Sequence, residues 1–177
     1  MKIDVENLVK DPGRKAALAF TVGPRELDLR PDEGDFGDFQ VTAELESTSR
    51  GLLGRFSVAG SSQLNCSRCL DEFTWPIALS FQQQWRKQPA SSGGETATWT
   101  GEEEEILPFD GRSIEIGEIL RDRILLSLPM KPLCRPDCRG LCPVCGANLN
   151  YETCTCQREE VDPRLMPLAR WRKAERD

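Results

Sequence analysis

Eight cysteines carry the chemistry this sequence can offer, and they stand in a chain of 177 residues without a single histidine. Six fall in one stretch: Cys134, Cys138, Cys142 and Cys145, then Cys154 and Cys156. The other two, Cys66 and Cys69, form an upstream pair. Thiolates are soft ligands, and zinc takes four of them in a tetrahedron at about 2.3 Å. Cysteines separated by two residues reach one ion without strain, as in Cys66-Ser-Arg-Cys69 and Cys142-Pro-Val-Cys145. Gly146 follows the second pair and can take the positive φ such a knuckle favours. Cys154 and Cys156 are closer together, yet converge if the backbone turns between them. One expected site is therefore Cys142, Cys145, Cys154 and Cys156. By elimination, Cys66, Cys69, Cys134 and Cys138 form the other. Cys134 and Cys138 can also trade roles with other thiols, so the partition stays open. The upstream site would clip the first half of the chain to the last, closing a long loop and constraining the unfolded chain.

Other cysteine chemistries fit the spacing less well. Cys66-x-x-Cys69 has the spacing of a redox dithiol but lacks the βαβ surroundings that such a dithiol uses. Cys138-x-x-x-Cys142-x-x-Cys145 matches the iron–sulfur spacing of radical enzymes that use S-adenosylmethionine. Those enzymes carry the motif early in a large α/β barrel, whereas here few residues follow it. Catalytic zinc keeps an open coordination position and is usually bound by histidine or glutamate, with a base nearby. The absent histidine also removes every Ser-His and Cys-His nucleophile scheme. No P-loop and no Gly-x-Gly-x-x-Gly is present. The expected cofactor is structural zinc at two Cys₄ sites, in a protein that is not an enzyme.

The formal charge is −6. Filling both sites sets eight thiolate charges against two dications and moves the balance further negative. This opposes a broad basic face gripping phosphates. The first residues lack the apolar core of a signal peptide. No apolar run approaches the ~18–20 residues needed to span a bilayer. The expected compartment is the cytoplasm, where thiols stay reduced and clustered cysteines more often bind metal than form disulfides.

The elements that must position the thiols follow from hydrophobic period. Phe39, Val41, Ala43 and Leu45 alternate with polar residues, as do Phe56 and Val58. Phe73, Trp75, Ile77, Leu79 and Phe81 give the clearest alternation. Such runs predict antiparallel strands with one buried and one wet face. Pro76 lacks a ladder donor and predicts an edge or a bulge there. Residues 16–22 and 26–29, around Gly23-Pro24, predict a further hairpin. Residues 89–105, with Glu102 to Glu105 in a row, predict an acidic, solvated loop. Ser113 reads as the N-cap of a helix over about 114–128 that carries Ile116, Ile119, Leu120, Ile124 and Leu128 and stops at Pro129. Asp162 and Pro163 start a second helix in a basic tail. The expected fold is α+β: an antiparallel β-sheet or partial barrel, a covering helix, and a C-terminal zinc-binding module. Residues 1–128 form the β-rich domain; residues 129–177 form the zinc module with the C-terminal helix packed on it.

These residues resemble the bacterial YceD family of large ribosomal RNA subunit accumulation proteins. The likeness rests on Cys66-Ser-Arg-Cys69-Leu70, Leu128-Pro-Met-Lys-Pro-Leu-Cys134, the run from Cys138-Arg-Gly-Leu-Cys-Pro-Val-Cys-Gly through Asn150, Cys154-Thr-Cys156, and Asp162-Pro163-Arg164. It runs from about Val41 to Leu168. The resemblance implies a ribosome-biogenesis factor supporting synthesis, processing or stability of large-subunit (23S) ribosomal RNA. The neighbouring gene in this family often encodes a large-subunit ribosomal protein, which hints at such a protein or a precursor particle as partner. The acidity of the chain suits a basic protein partner better than naked RNA. No membrane and no small-molecule substrate is expected. The rival reading is direct contact with ribosomal RNA through the zinc module and basic tail, using Arg68, Arg135, Arg139, Arg164, Arg170 and Arg172.

Overall fold

The computed structural model describes residues 1–87 and 106–156. The expected acidic loop and tail helix, with Arg164, Arg170 and Arg172, lie outside the described residues. Among those residues the chain is mostly β-sheet with two short helices. In chain order the elements are β1 (Lys2–Asp4), α1 (Glu6–Val9), β2 (Lys15–Val22), β3 (Asp35–Phe36), β4 (Phe39–Thr48), β5 (Gly51–Asn65), β6 (Glu72–Lys87), β7 (Ile106–Phe109), β8 (Ser113–Glu115) and α2 (Gly117–Leu126). The main sheet has the order β2-β4-β5-β6-β7, with β3 also paired to β5. β1 and β8 make a separate two-stranded sheet. Both sheets are open, so no barrel closes among the described residues.

The three strands predicted by alternation are β4, β5 and β6, in antiparallel register. Val58 lies between Val41 and Leu79, and Phe56 between Ala43 and Phe81. Phe56 and Phe81 stack with ring centroids 5.0 Å apart. Phe39, Val41 and Leu45 are buried, whereas Gln40, Thr42 and Glu44 face solvent. This period of two leaves one apolar face for α2 and the N-terminal segment to cover. Leu120 and Ile124 of α2 are fully buried and join that core, as do Val5 and Leu8. Pro76 sits opposite Ser61 of β5. β7 joins β6 only at Gln84–Lys87, so Pro76 lies on an edge, where no second ladder needs its missing donor.

Three expectations are corrected. Residues 26–29 are successive turns, not a strand, and β2 pairs with β4 instead. After Gly23-Pro24 the chain coils: Glu26 donates to the Gly23 carbonyl at 3.1 Å and Leu29 to the Pro24 carbonyl at 2.9 Å. Leu27 and Leu29 still reach the core from these turns, which imitates a strand pattern. Ser113 is not a helix cap. It opposes Asp4 in the β1–β8 ladder, and its N–H bonds to Asp110 Oδ1 at 2.9 Å. Helix α2 starts at Gly117 without a side-chain cap and ends at Leu126, short of the expected bounds. Pro129 restricts the residue before it, so the helix stops earlier. No helix among the described residues is long and apolar enough to cross a membrane.

Candidate metal centre

The β5–β6 hairpin is long and projects its turn, residues 66–71, beyond the main sheet. In that turn Leu70 N–H donates to the Cys66 carbonyl and Cys66 N–H to the Asp71 carbonyl, both at 2.9 Å. The same local structure recurs downstream. Gly146 N–H donates to the Cys142 carbonyl at 2.9 Å, and Cys142 N–H to the Ala147 carbonyl at 2.8 Å. In each knuckle a backbone amide two residues on points at the first sulfur: Arg68 N–H at Cys66 Sγ and Val144 N–H at Cys142 Sγ, both at 3.5 Å. Each Cys-x-x-Cys turn thus gathers two sulfurs on one side and supplies a donor for the thiolate.

The sulfurs fall into two sets: Cys66, Cys69, Cys134 and Cys138 in one, Cys142, Cys145, Cys154 and Cys156 in the other. Within each set all four Sγ atoms lie within 4.8 Å of one another. Cys66 Sγ is 3.7 Å from Cys138 Sγ, and Cys69 Sγ is 3.6 Å from Cys134 Sγ. Zinc–sulfur bonds of about 2.3 Å make a tetrahedron with edges of about 3.8 Å. These spacings match such edges and are far from the roughly 2.0 Å of a disulfide. Two Cys₄ groups that could hold metal ions are therefore present. They divide the cysteines as the spacing suggested, and Cys134 and Cys138 do not trade places.

The electrostatics of each set is that of crowded thiols. Burial opposes ionisation of Cys66, yet the amides of Cys134, Cys69 and Arg68 outweigh it and lower its thiol to about 6. Amides of Cys145 and Val144 bring Cys142 to about 6 as well. Cys138 is lowered despite burial, through the Asn150 side-chain amide and the Gly140 N–H. Burial pushes Cys69 and Cys134 up. The Cys145 sulfur pushes Cys156 up to about 12, and the Cys142 sulfur raises Cys154. Within each set the sulfurs oppose one another's ionisation, so only a cation among them would let all four become thiolates.

The first set fastens residues 132–150 to the hairpin tip, and hydrogen bonds reinforce the joint. Ser67 N–H donates to the Pro132 carbonyl at 2.8 Å, and Leu141 N–H to the Arg68 carbonyl at 3.1 Å. The Arg68 guanidinium donates to the Cys138 carbonyl at 2.8 Å, so this predicted RNA contact holds the joint from within the chain. Gly140 passes so close that a Cβ there would sit 3.0 Å from the Arg68 carbonyl oxygen. Arg135 and Arg139 are exposed, with Arg135 3.8 Å from Asp137.

Sequence reasoning gave no role to Asp71, Asn148 and Asn150. Asn148 bonds to Asp71, and Asn150 Nδ2 donates to Cys138 Sγ at 3.4 Å. The only sequence signal was the Asn-Leu-Asn run between the two halves of the second set.

Comparison with known proteins points one way. The family model for large ribosomal RNA subunit accumulation protein YceD matches residues 54–170, a span that includes all eight cysteines. An uncharacterized protein of Mycobacterium tuberculosis is 32% identical over 172 residues, covering 95% of this chain and 79% of its own. Arabidopsis thaliana has a chloroplastic protein named large ribosomal RNA subunit accumulation protein YCED homolog 1. It is 35% identical over 77 residues, 43% of this chain and 24% of its own. A Bacillus subtilis protein is 24% identical over 170 residues, 95% of this chain and 94% of its own. No solved structure matches. With both cysteine sets inside the matched span, the chain belongs to the family of large ribosomal RNA subunit accumulation proteins, YceD.

Proposed function

We propose that this chain is a non-enzymatic, cytoplasmic factor of ribosome biogenesis that supports accumulation of large-subunit ribosomal RNA through a protein partner. Family membership is the observation that carries the role. The partner is a basic large-subunit ribosomal protein or a precursor particle that displays one, a choice supported by the net charge of −6. Each cysteine set would hold one zinc ion. All-thiolate donor sets at tetrahedral spacing suit zinc and leave no protein-free position for a substrate, so the metal would act as a structural crosslink.

Elemental analysis of the purified chain, with its sedimentation in a lysate gradient, tests both halves. Two zinc per chain and co-migration with immature large subunits are expected. Iron in place of zinc sinks the metal assignment. A chain that stays free of precursor particles, in cells whose 23S RNA level ignores its depletion, sinks the role. The exposed Arg135 and Arg139 favour direct RNA contact as the second reading. Charge reversal at these two residues that weakens RNA binding and flattens its salt dependence would select it.

A further inference from the structure

The two cysteine sets are close neighbours in the chain, and the segment closed by one set supports a sulfur of the other. Residues 146–153 run between Cys145 and Cys154 of the second set. Within that segment Leu149 N–H donates to the Gly140 carbonyl at 2.9 Å, and Asn148 forms a β-bridge with Leu141. Asn150 is fixed through both ends of its amide. Its Nδ2 donates to Cys138 Sγ at 3.4 Å and to Asn148 Oδ1 at 2.9 Å. Its Oδ1 accepts the Arg139 N–H at 2.9 Å. Cys138 belongs to the first set and is only 3% exposed, so water does not readily replace this donor.

The geometry assigns Asn150 as a positioning residue that couples the two metal sites: metal in the second site orders residues 146–153 and so raises the affinity of the first. With the second site empty, the Leu149–Gly140 bond and the Asn148–Asp71 pair still hold the middle of the segment, but its far end is not tied at Cys154 and Cys156. Part of the ordering of Asn150 is then left to the moment the first site fills. With the second site filled, the segment is a closed loop and Asn150 is already in place. A preordered donor holds the Cys138 sulfur in the position the site requires, and groups that support metal ligands typically change affinity about 10–100-fold. Linkage makes the effect reciprocal, so the first metal also tightens the second. This inference rests on the metal reading above.

Zinc competition against a chromophoric chelator tests it on the full chain in four forms: wild type, Asn150→Ala, Cys145→Ser and the double variant. Asn150→Ala should weaken the first site, read with the second filled, about tenfold or more, and leave the second, read with the first empty, within roughly twofold. Cys145→Ser opens the second site and should weaken the first by a similar factor. The double variant should be no worse than Cys145→Ser alone. Losses that multiply in the double variant, or a first site indifferent to both changes, overturn the coupling. Native mass spectrometry of the wild type decides independently if Cys145→Ser fails to fold. At one equivalent of zinc, coupling gives mainly empty and doubly loaded chains, whereas mainly singly loaded chains refute it. Two metals bound independently defeat only the coupling, but no metal uptake at all defeats the metal reading as well.

Discussion

The side-chain amide of Asn148 donates to both carboxylate oxygens of Asp71, each at 3.0 Å, and so ties the second cysteine segment to the hairpin that carries Cys66 and Cys69. Both side chains are half-buried. A hydrogen bond to a charged acceptor in such a site contributes roughly 1.5–3 kcal/mol. In the metal-loaded chain, Asp71→Ala should lower stability by about 1–2 kcal/mol, toward the low end because water still reaches the pair. Urea titrations should show that this loss shrinks in an Asn148→Ala background, since that partner is then already gone and only the Tyr151 side chain beside Asp71 is left.

Metal removal should loosen one part of the molecule and spare another. The first cysteine set has little apolar company: Phe73, Leu133 and Leu141 pack against it, separately from the main core. The main core is built from β4, β5, β6, α2 and the N-terminal segment and does not contain the cysteines. Chelation should raise amide hydrogen exchange in residues 66–71 and 132–150, while Val41 and Val58 stay protected. Global loss of protection would show that the sheet itself depends on the metals.

Gly60 is required by its neighbour rather than by its backbone. A Cβ there would lie 2.4 Å from Phe39 Cδ1, and Phe39 is fully buried. The ring cannot retreat without opening the core between β4 and β5. Gly60→Ala should therefore destabilise the chain by about 1–3 kcal/mol, as overpacking does. Thermal unfolding of the metal-loaded protein measures it.

What the sequence disclosed followed from period and spacing. β4 to β6 were readable because Val41, Val58 and Leu79 each sit in an alternation long enough to specify a face. The partition of the cysteines was readable because two knuckles and one tight pair leave few ways to make sets of four. β1 and β8 were not readable. Each has three residues, too few for a pattern, and their pairing of Lys2 with Glu115 joins distant parts of the chain. The parallel pairing of β7 with β6 was hidden for a similar reason, since residues 88–105 between them have no hydrophobic period. Leu27 and Leu29 misled because burial from consecutive turns can imitate a strand. Asn148 and Asn150 carry no periodic or ligand signal at all; only the folded chain brings them to Asp71 and Cys138.

Glu33 should give the chain one identifiable pH dependence. Its carboxylate accepts the Arg30 N–H at 2.9 Å and the Arg30 guanidinium at 3.2 Å. The Arg121 guanidinium of α2 also donates to it. The Arg30 amide foremost, against an opposing effect of burial, holds the carboxyl below the usual carboxylate range. An unfolded glutamate titrates near about 4.3. A lowered folded value means stability that is present above that pH and lost as pH falls through the folded value. The advantage of the wild type over Glu33→Gln should therefore be full near neutrality and shrink in acid below about pH 4. An advantage that grows on acidification would contradict this assignment. Comparing urea midpoints of the two chains across pH removes effects they share, including metal loss.

Leu70 and Gly146 occupy equivalent places in the two knuckles, each the residue after the second cysteine. Gly146 has φ +75° and Leu70 has φ +64°. Positive φ is easy for glycine and strained for leucine, by roughly 1–2 kcal/mol. Leu70 gains little in return, because it is 66% exposed. Leu70→Gly should relieve the strain, although glycine also loosens the unfolded chain by about 0.4–1 kcal/mol. The net expectation is a stabilisation of up to about 1 kcal/mol, unusual for removal of a large apolar side chain. The converse change isolates the backbone effect. A Cβ at position 146 would meet nothing within 4 Å, so Gly146→Ala adds no clash. It should still destabilise the second knuckle by about 1–2 kcal/mol. Urea midpoints of both metal-loaded variants should move in opposite directions. If both fall, the Leu70 side chain makes a stabilising contact that its exposure does not reveal.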